Sequence, residues 1–139
     1  MFVFPRQEWL DEFKKEINKS EDYKKSGATW EAGPITFVIK AKPEIGLNED
    51  VAMWIDLHRG VCREAKIVSM EEGAKAPFVI TGEYERWKQV LKKELEPIKG
   101  MVQGKLKLKG HLPTIVKYVK AAQDLVECTT RIPTKFLDE

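Results

Sequence analysis

The hydrophobic positions change their spacing several times along the chain, and each change marks an element. Trp9, Phe13 and Ile17 recur every four residues, with Leu10 beside them and Glu8, Asp11, Glu12, Lys14 and Lys15 between. This predicts an amphipathic helix whose stripe packs on a sheet. Pro5 is placed in its first turn, where a missing amide hydrogen costs little. Ser20 with Glu21 and Asp22 starts a second, short helix that Gly27 ends, because a hydroxyl caps free amides and carboxylates favour the positive end of the helix dipole. Trp30 closes this helical section. From Pro34 the period becomes two: Ile35, Phe37 and Ile39 alternate with Thr36, Val38 and Lys40 in a first strand that stops near Pro43.

Residues 51–57 and 61–69 flank the reversal His58-Arg59-Gly60 and predict an antiparallel hairpin. Residues 71–75 read as a turn, and 78–82 as a fourth strand. The spacing then returns to helical, with Tyr84, Trp87, Leu91 and Leu95 on one side and Val90 beside them, until Pro97 interrupts. A short helical turn carries Ile98, Met101 and Val102. Gly104 releases the chain into a fifth strand over 105–109, where Leu106 and Leu108 point one way and Lys105, Lys107 and Lys109 the other. Pro113 starts a last long helix whose broad stripe is Leu112, Ile115, Val116, Val119, Ala122, Leu125 and Val126, and residues 131–134 form a tail cap. The order predicts an α+β fold: a five-stranded, largely antiparallel sheet with helices packed on one face.

Composition narrows the picture. A chain of 139 residues suits one domain over 1–139 that buries a core without disulfides or a structural metal. Hydrophobic residues at 42% and charged residues at 33% place it among soluble globular proteins. Twenty-four basic and 22 acidic side chains leave a net charge of +2, so the whole molecule does not select for nucleic acid, and no aromatic-rich RNA-binding strand motif is present. The first residues lack the pattern of a secretory signal, and no apolar run approaches the roughly 18 residues of a spanning helix, which makes the expected location cytoplasmic. Cys62 and Cys128 form no C-x-x-C pair and are expected as buried free thiols. Two histidines without clustered ligand spacing point away from a metal site. Asp56, His58 and Cys62 could form an orienter, base and nucleophile only if they shared one strand face. No nucleophile elbow or oxyanion-type glycine motif accompanies them, so no catalytic residues are assigned.

Three segments are more specific. The run Ile80-Thr81-Gly82-Glu83-Tyr84-Glu85-Arg86-Trp87-Lys88, then Glu96-Pro97-Ile98, then Met101-Val102-Gln103-Gly104-Lys105-Leu106-Lys107-Leu108-Lys109-Gly110 resembles the sterol carrier protein type 2 family, especially its stand-alone prokaryotic members. Trp9, Tyr23 and Trp30, and later Ala121-Ala122, Leu125-Val126-Glu127 and Ile132-Pro133-Thr134, also fall where such proteins tend to have similar residues. The resemblance covers nearly the whole chain. It implies a hydrophobic tunnel enclosed by a sheet backed with helices for fatty acids, acyl-CoA thioesters, phospholipids or sterols, in a carrier with no catalytic residues; the ligand expected here is a long-chain acyl, acyl-CoA, isoprenoid or sterol-like molecule, with no cofactor. The ending Phe136-Leu137-Asp138-Glu139 differs from the peroxisomal Ser-Lys-Leu ending of many eukaryotic members.

On this resemblance the expected tunnel residues are Trp87, Val90, Leu91, Met101, Val102, Leu106, Leu108, Leu112, Ile115, Val116 and Val119. Lys105, Lys107 and Lys109, with Lys99, are the expected contacts for an anionic headgroup, a coenzyme A moiety or a transiently touched membrane. Two plainer readings stand beside these: helical apolar stripes are usually core, and alternating lysines usually form the solvated face of an edge strand. The function expected is reversible, non-covalent lipid binding and transfer, by a monomer or a homodimer. Its alternatives are an accessory domain whose apolar groove accepts a partner's helix or tail, and an acyl-thioester hydrolase acting through Cys62 or His58.

Overall fold

The computed structural model describes residues 1–139 and places the strands at β2 (Ile35–Ile39), β3 (Val51–His58), β4 (Val61–Val68), β5 (Phe78–Gly82) and β6 (Lys107–Lys109). They form one sheet in the order β4-β3-β2-β5-β6. Three of its four pairings are antiparallel, and β2 runs parallel to β5 at its centre. A parallel neighbour needs a crossover. Here the connection after β4 crosses behind β3 and β2, and part of the stretch expected as a turn is the one-turn helix α3 (Met70–Gly73). Ser69 caps it by accepting from the Glu72 amide. Thr36 donates to the Gly73 carbonyl at 2.8 Å, and a Cβ at Gly73 would stand 3.0 Å from Thr36 and 3.1 Å from Ala52. The crossover can lie this close to the sheet because residue 73 has no side chain.

The strict alternation of the strands sorts their side chains. Ile35, Phe37 and Ile39 point to the same face as Met53, Ile55, Leu57, Phe78 and Ile80, all in or packed against the main core. Val38, Ala52 and Val79 form a small second cluster on the reverse face, under α3.

The larger helices cover the main face. Helix α1 (Gln7–Lys19) buries Trp9, Leu10, Phe13 and Ile17 and closes the outer edge of β4 with two side-chain amides. Gln7 donates to the Ala65 carbonyl and accepts from the Ile67 amide, while Asn18 donates to the Cys62 carbonyl and accepts from the Cys62 amide at 2.9 Å. Each mimics one rung of a missing strand and leaves less open edge. Helix α2 (Glu21–Ser26) starts at Ser20 as expected, and Ser26 donates to the buried Asp124 carboxylate of α7 (Val119–Thr130) at 2.6 Å.

Helices α4 (Tyr84–Leu91) and α5 (Pro97–Val102) match the expected break at Pro97. The expected last long helix is instead two pieces, α6 (Leu112–Val116) and α7, separated at Lys117 and Tyr118. Tyr118 leaves helical geometry because its ring packs edge-on against Trp30 at 5.0 Å and its hydroxyl donates to the Thr29 carbonyl.

Both ends of the chain depart from expectation. Pro5 lies before α1, in a turn that the Arg6 amide closes on Val3, and residues Phe2–Phe4 form β1. The tail expected as a cap forms β7 (Thr134–Phe136), parallel to β1. One phenol joins them: Tyr84 donates to the Phe4 carbonyl at 3.0 Å and accepts from the Leu137 amide at 2.9 Å.

Two outcomes follow for stability. Tyr84→Phe leaves a buried carbonyl and an amide without partners and is expected to cost about 1–3 kcal/mol in chemical denaturation. Burial pushes the Cys62 thiol from its ordinary 9.0 to about 11, and burial also raises Cys128, Tyr23 and Tyr84. Folding therefore favours the protonated forms. That stability is fully present below about pH 9 and is lost as pH rises through the folded values. Cys62 alone accounts for roughly 2–3 kcal/mol. Denaturation midpoints should stay level from pH 7 to 8.5 and fall above pH 9, and Cys62→Ala should flatten the fall.

Candidate functional site

Between the main sheet face and the helices the core does not close. A cavity of about 120 Å³ remains, lined by 25 residues of which none is charged. One wall is the sheet, through Ile35, Phe37, Met53, Ile55, Leu57 and Ile80. The far end is capped by Phe4 with Trp9, Phe13 and Ile17 of α1, and the remaining wall is helical, from α4, α5, α6 and α7. The sheet side and the α1 side are largely buried. Leu91, Met101, Ala122, Leu125 and Val126, on α4, α5 and α7, are only partly buried, so the cavity approaches the surface between these helices.

The wall is apolar because five of its six polar tips are tied to the protein elsewhere. The Trp9 indole donates to Thr134 Oγ1, Trp30 to the Gly33 carbonyl and Trp87 to the Val38 carbonyl, at 2.9, 3.0 and 2.9 Å. Thr129 donates to the Val126 carbonyl at 2.6 Å, and Tyr118 to the Thr29 carbonyl. Each ring thus presents its hydrocarbon body inward. Trp87 reaches Val38 past Gly82, where a Cβ would stand 3.1 Å from the indole nitrogen and 2.6 Å from Leu106.

Of the residues expected at a tunnel, Trp87, Val90, Leu91, Met101 and Ile115 line this cavity. The other six do not. Leu106 is buried against Gly82 and Gly100, Leu108 joins the core over β6, and Leu112 is partly buried away from the space. Val102, Val116 and Val119 are 67%, 43% and 36% exposed. The stripe over 112–126 was read on a continuous helix, and the break at Tyr118 rotates its first half relative to its second. Val102, Val116 and Val119 each follow a lining residue by one position, so apolar surface continues from the cavity wall onto the exterior.

The lysines are likewise divided. Leu108 pairs with Ile80 on the cavity side of the sheet, which sends Lys107 and Lys109 to the reverse face, where Lys109 donates to the Ala74 carbonyl. Lys105 is exposed, three residues beyond α5.

None of the lining residues on α1, α2 and the sheet is among the expected tunnel residues. Their signal was present: Trp9, Phe13 and Ile17 formed a clear stripe. A stripe looks the same whether it meets packed atoms or a void.

The catalytic reading does not assemble. Cys62 pairs with Leu57 on the core face at 1% exposure, whereas Asp56 pairs with Glu64 on the other face and accepts from Nε and Nη2 of Arg63 at 3.0 and 3.2 Å. His58 alternates with Leu57 and shares the Asp56 side. The irregularity between Asp56 and Leu57 lies just where register would have had to hold. A thiol pushed up to about 11 is also a poor nucleophile near neutral pH.

Comparison with known proteins bears on this geometry. The model of the SCP-2 sterol transfer family matches residues 10–123. A search of curated proteins found no match. Among solved structures, a crystal structure of sterol carrier protein 2 is 35% identical over 91% of this chain and 97% of its own, with a TM-score of 0.83. The solution structure of a conserved hypothetical protein from Thermus thermophilus, described as possibly a sterol carrier protein, is 34% identical over 94% of this chain and 90% of its own, with a TM-score of 0.84. Apo sterol carrier protein 2 from Yarrowia lipolytica shares the fold at 16% identity and a TM-score of 0.57, over 88% of this chain and 90% of its own. With the family match running through sheet, cavity wall and part of α7, the chain belongs to the SCP-2 sterol transfer family.

Proposed function

We propose that this protein reversibly holds the apolar tail of a lipid in the cavity between sheet and helices and transfers it without covalent chemistry. Family membership supports lipid binding or transfer in general. The observation that carries the reading for this chain is the chargeless cavity itself. At about 24 cal/mol per Å³, leaving 120 Å³ empty costs roughly 3 kcal/mol. A ligand recovers that loss. Ten buried methylenes contribute about 8 kcal/mol gross, against at most about 1 kcal/mol for an exposed lysine and a headgroup. The tail therefore dominates affinity, and acyl, acyl-CoA, isoprenoid and sterol-like ligands all stay within the reading.

Size adds a condition. An engineered cavity of about 150 Å³ takes benzene, so a long chain enters only as the wall opens. The partly buried seam between α4, α5 and α7 is where it opens in this proposal, and adaptable Met101 lies in it. Of the expected lysines, Lys99 lies on α5 itself and Lys105 three residues beyond it, and these two are the candidates to meet a headgroup left outside. The exposed Val102, Val116 and Val119 support a transient contact with the donor membrane beside the seam. No helix is long and apolar enough to cross a membrane.

Native mass spectrometry of freshly purified protein, with solvent extraction and lipid identification, tests the reading; a stoichiometric lipid is expected. A clean apo mass that also ignores added fatty acid, acyl-CoA and isoprenoid probes would sink it in favour of an accessory domain. Met101→Trp and Ile115→Trp should fill the space and reduce uptake at least tenfold while far-ultraviolet circular dichroism stays unchanged. Val102→Glu should slow transfer from vesicles severalfold and leave equilibrium affinity unaltered.

A further inference from the structure

The cavity wall carries six side chains with a hydrogen-bonding nitrogen or oxygen: Trp9, Tyr23, Trp30, Trp87, Tyr118 and Thr129. Five are bonded to the protein at 2.6–3.1 Å. The sixth is Tyr23. Its backbone amide goes to the Ser20 cap, but its phenol oxygen makes no hydrogen bond within the protein; the residue is 2% exposed, and the oxygen keeps a trace of accessible surface, unlike Glu96 Oε1, the one fully enclosed side-chain oxygen without a partner. In a residue this nearly buried, a hydroxyl without a protein partner needs a reason. Tyr84 shows what the fold does with a structural phenol, bonding it as both donor and acceptor.

The Tyr23 ring is also held in place. It lies against Gly27 so closely that a Cβ there would come within 2.7 Å of Cζ and 3.0 Å of the hydroxyl. Phenylalanine would fill the same volume without an unpaired oxygen.

We infer that the Tyr23 hydroxyl is the hydrogen-bond anchor for a lipid bound in the cavity, and that it selects a ligand whose buried end carries one neutral acceptor, such as an alcohol, ester or ketone oxygen. This rests on the carrier reading above. The restriction to neutral groups follows from the wall. No lining residue is charged, so a carboxylate or phosphate brought to Tyr23 would lose its hydration without a cation to replace it, a cost one phenol cannot offset. An anionic end stays at the seam. Burial that raises the Tyr23 phenol keeps it protonated, hence a donor, through the neutral range.

The test compares wild type with Tyr23→Phe by displacement of an apolar fluorescent dye, using 1-dodecanol, dodecane and dodecanoate. The variant should bind dodecanol about fivefold to tenfold more weakly, the worth of one net hydrogen bond, with dodecane and dodecanoate unchanged. Its unfolding midpoint should equal or exceed that of wild type, since no protein partner is lost. Equal weakening of dodecanol and dodecane would reduce Tyr23 to a matter of shape and overturn the anchor. So would unchanged dodecanol binding, or a loss for dodecanoate alone. If wild type displaces the dye with none of the three, the carrier reading fails and the anchor with it; displacement by all three with no difference between the proteins removes the anchor only.

Discussion

An interior lined by aromatic rings whose polar tips, all but that of Tyr23, are tied to the protein is the constraint on which the rest of this structure depends. Tryptophan and tyrosine supply large apolar bodies, but a buried N–H or O–H must find a partner. The fold answers with backbone carbonyls: Val38 for Trp87, Gly33 for Trp30, Thr29 for Tyr118 and Phe4 for Tyr84. These bonds fix the rings against the sheet and the chain ends, and they leave the enclosed space hydrocarbon. Several local features answer to them. Gly82 is small so that Trp87 can pass, the last helix breaks where Tyr118 turns toward Thr29, and β1 and β7 lie together where Tyr84 bridges them.

The same arrangement makes the cavity asymmetric. The sheet wall is held by continuous strand pairing, with β4 closed by the Gln7 and Asn18 amides of α1. The opposite wall is assembled from short helices, and its side chains along the seam keep partial exposure. A wall of short segments can part at lower cost than a paired sheet, because fewer backbone bonds cross between its pieces. Rigid and yielding walls on opposite sides suit the proposed uptake and release of a lipid tail.

Much of the architecture was legible beforehand. Alternation at Ile35-Phe37-Ile39 and in the hairpin about Gly60, the four-residue recurrence of Trp9-Phe13-Ile17, and the break at Pro97 are local signals, and each matched an element. The three-residue strands β1 and β7 carry no period long enough to detect. Their pairing joins opposite ends of the chain, as in the match of Phe2 with Thr134. Of the candidate site, Trp87, Val90, Leu91, Met101 and Ile115 reached the cavity wall, while Val116 and Val119 did not, because a stripe read on an unbroken helix cannot register the turn that Tyr118 imposes.

The sequence by itself determined the longer strands and most of the helices, their inward faces and, through the resemblance of residues 80–110, the family, since these depend on spacing and residue type along short stretches. Only the tertiary structure decided that the inward faces meet around a space rather than fill it, which lysines lie behind the sheet, and that Asp56 and Cys62 stand on opposite faces. It also decided which polar tip is left unpaired. A void and an unmet hydroxyl are properties of how distant surfaces fit, and no single segment contains them.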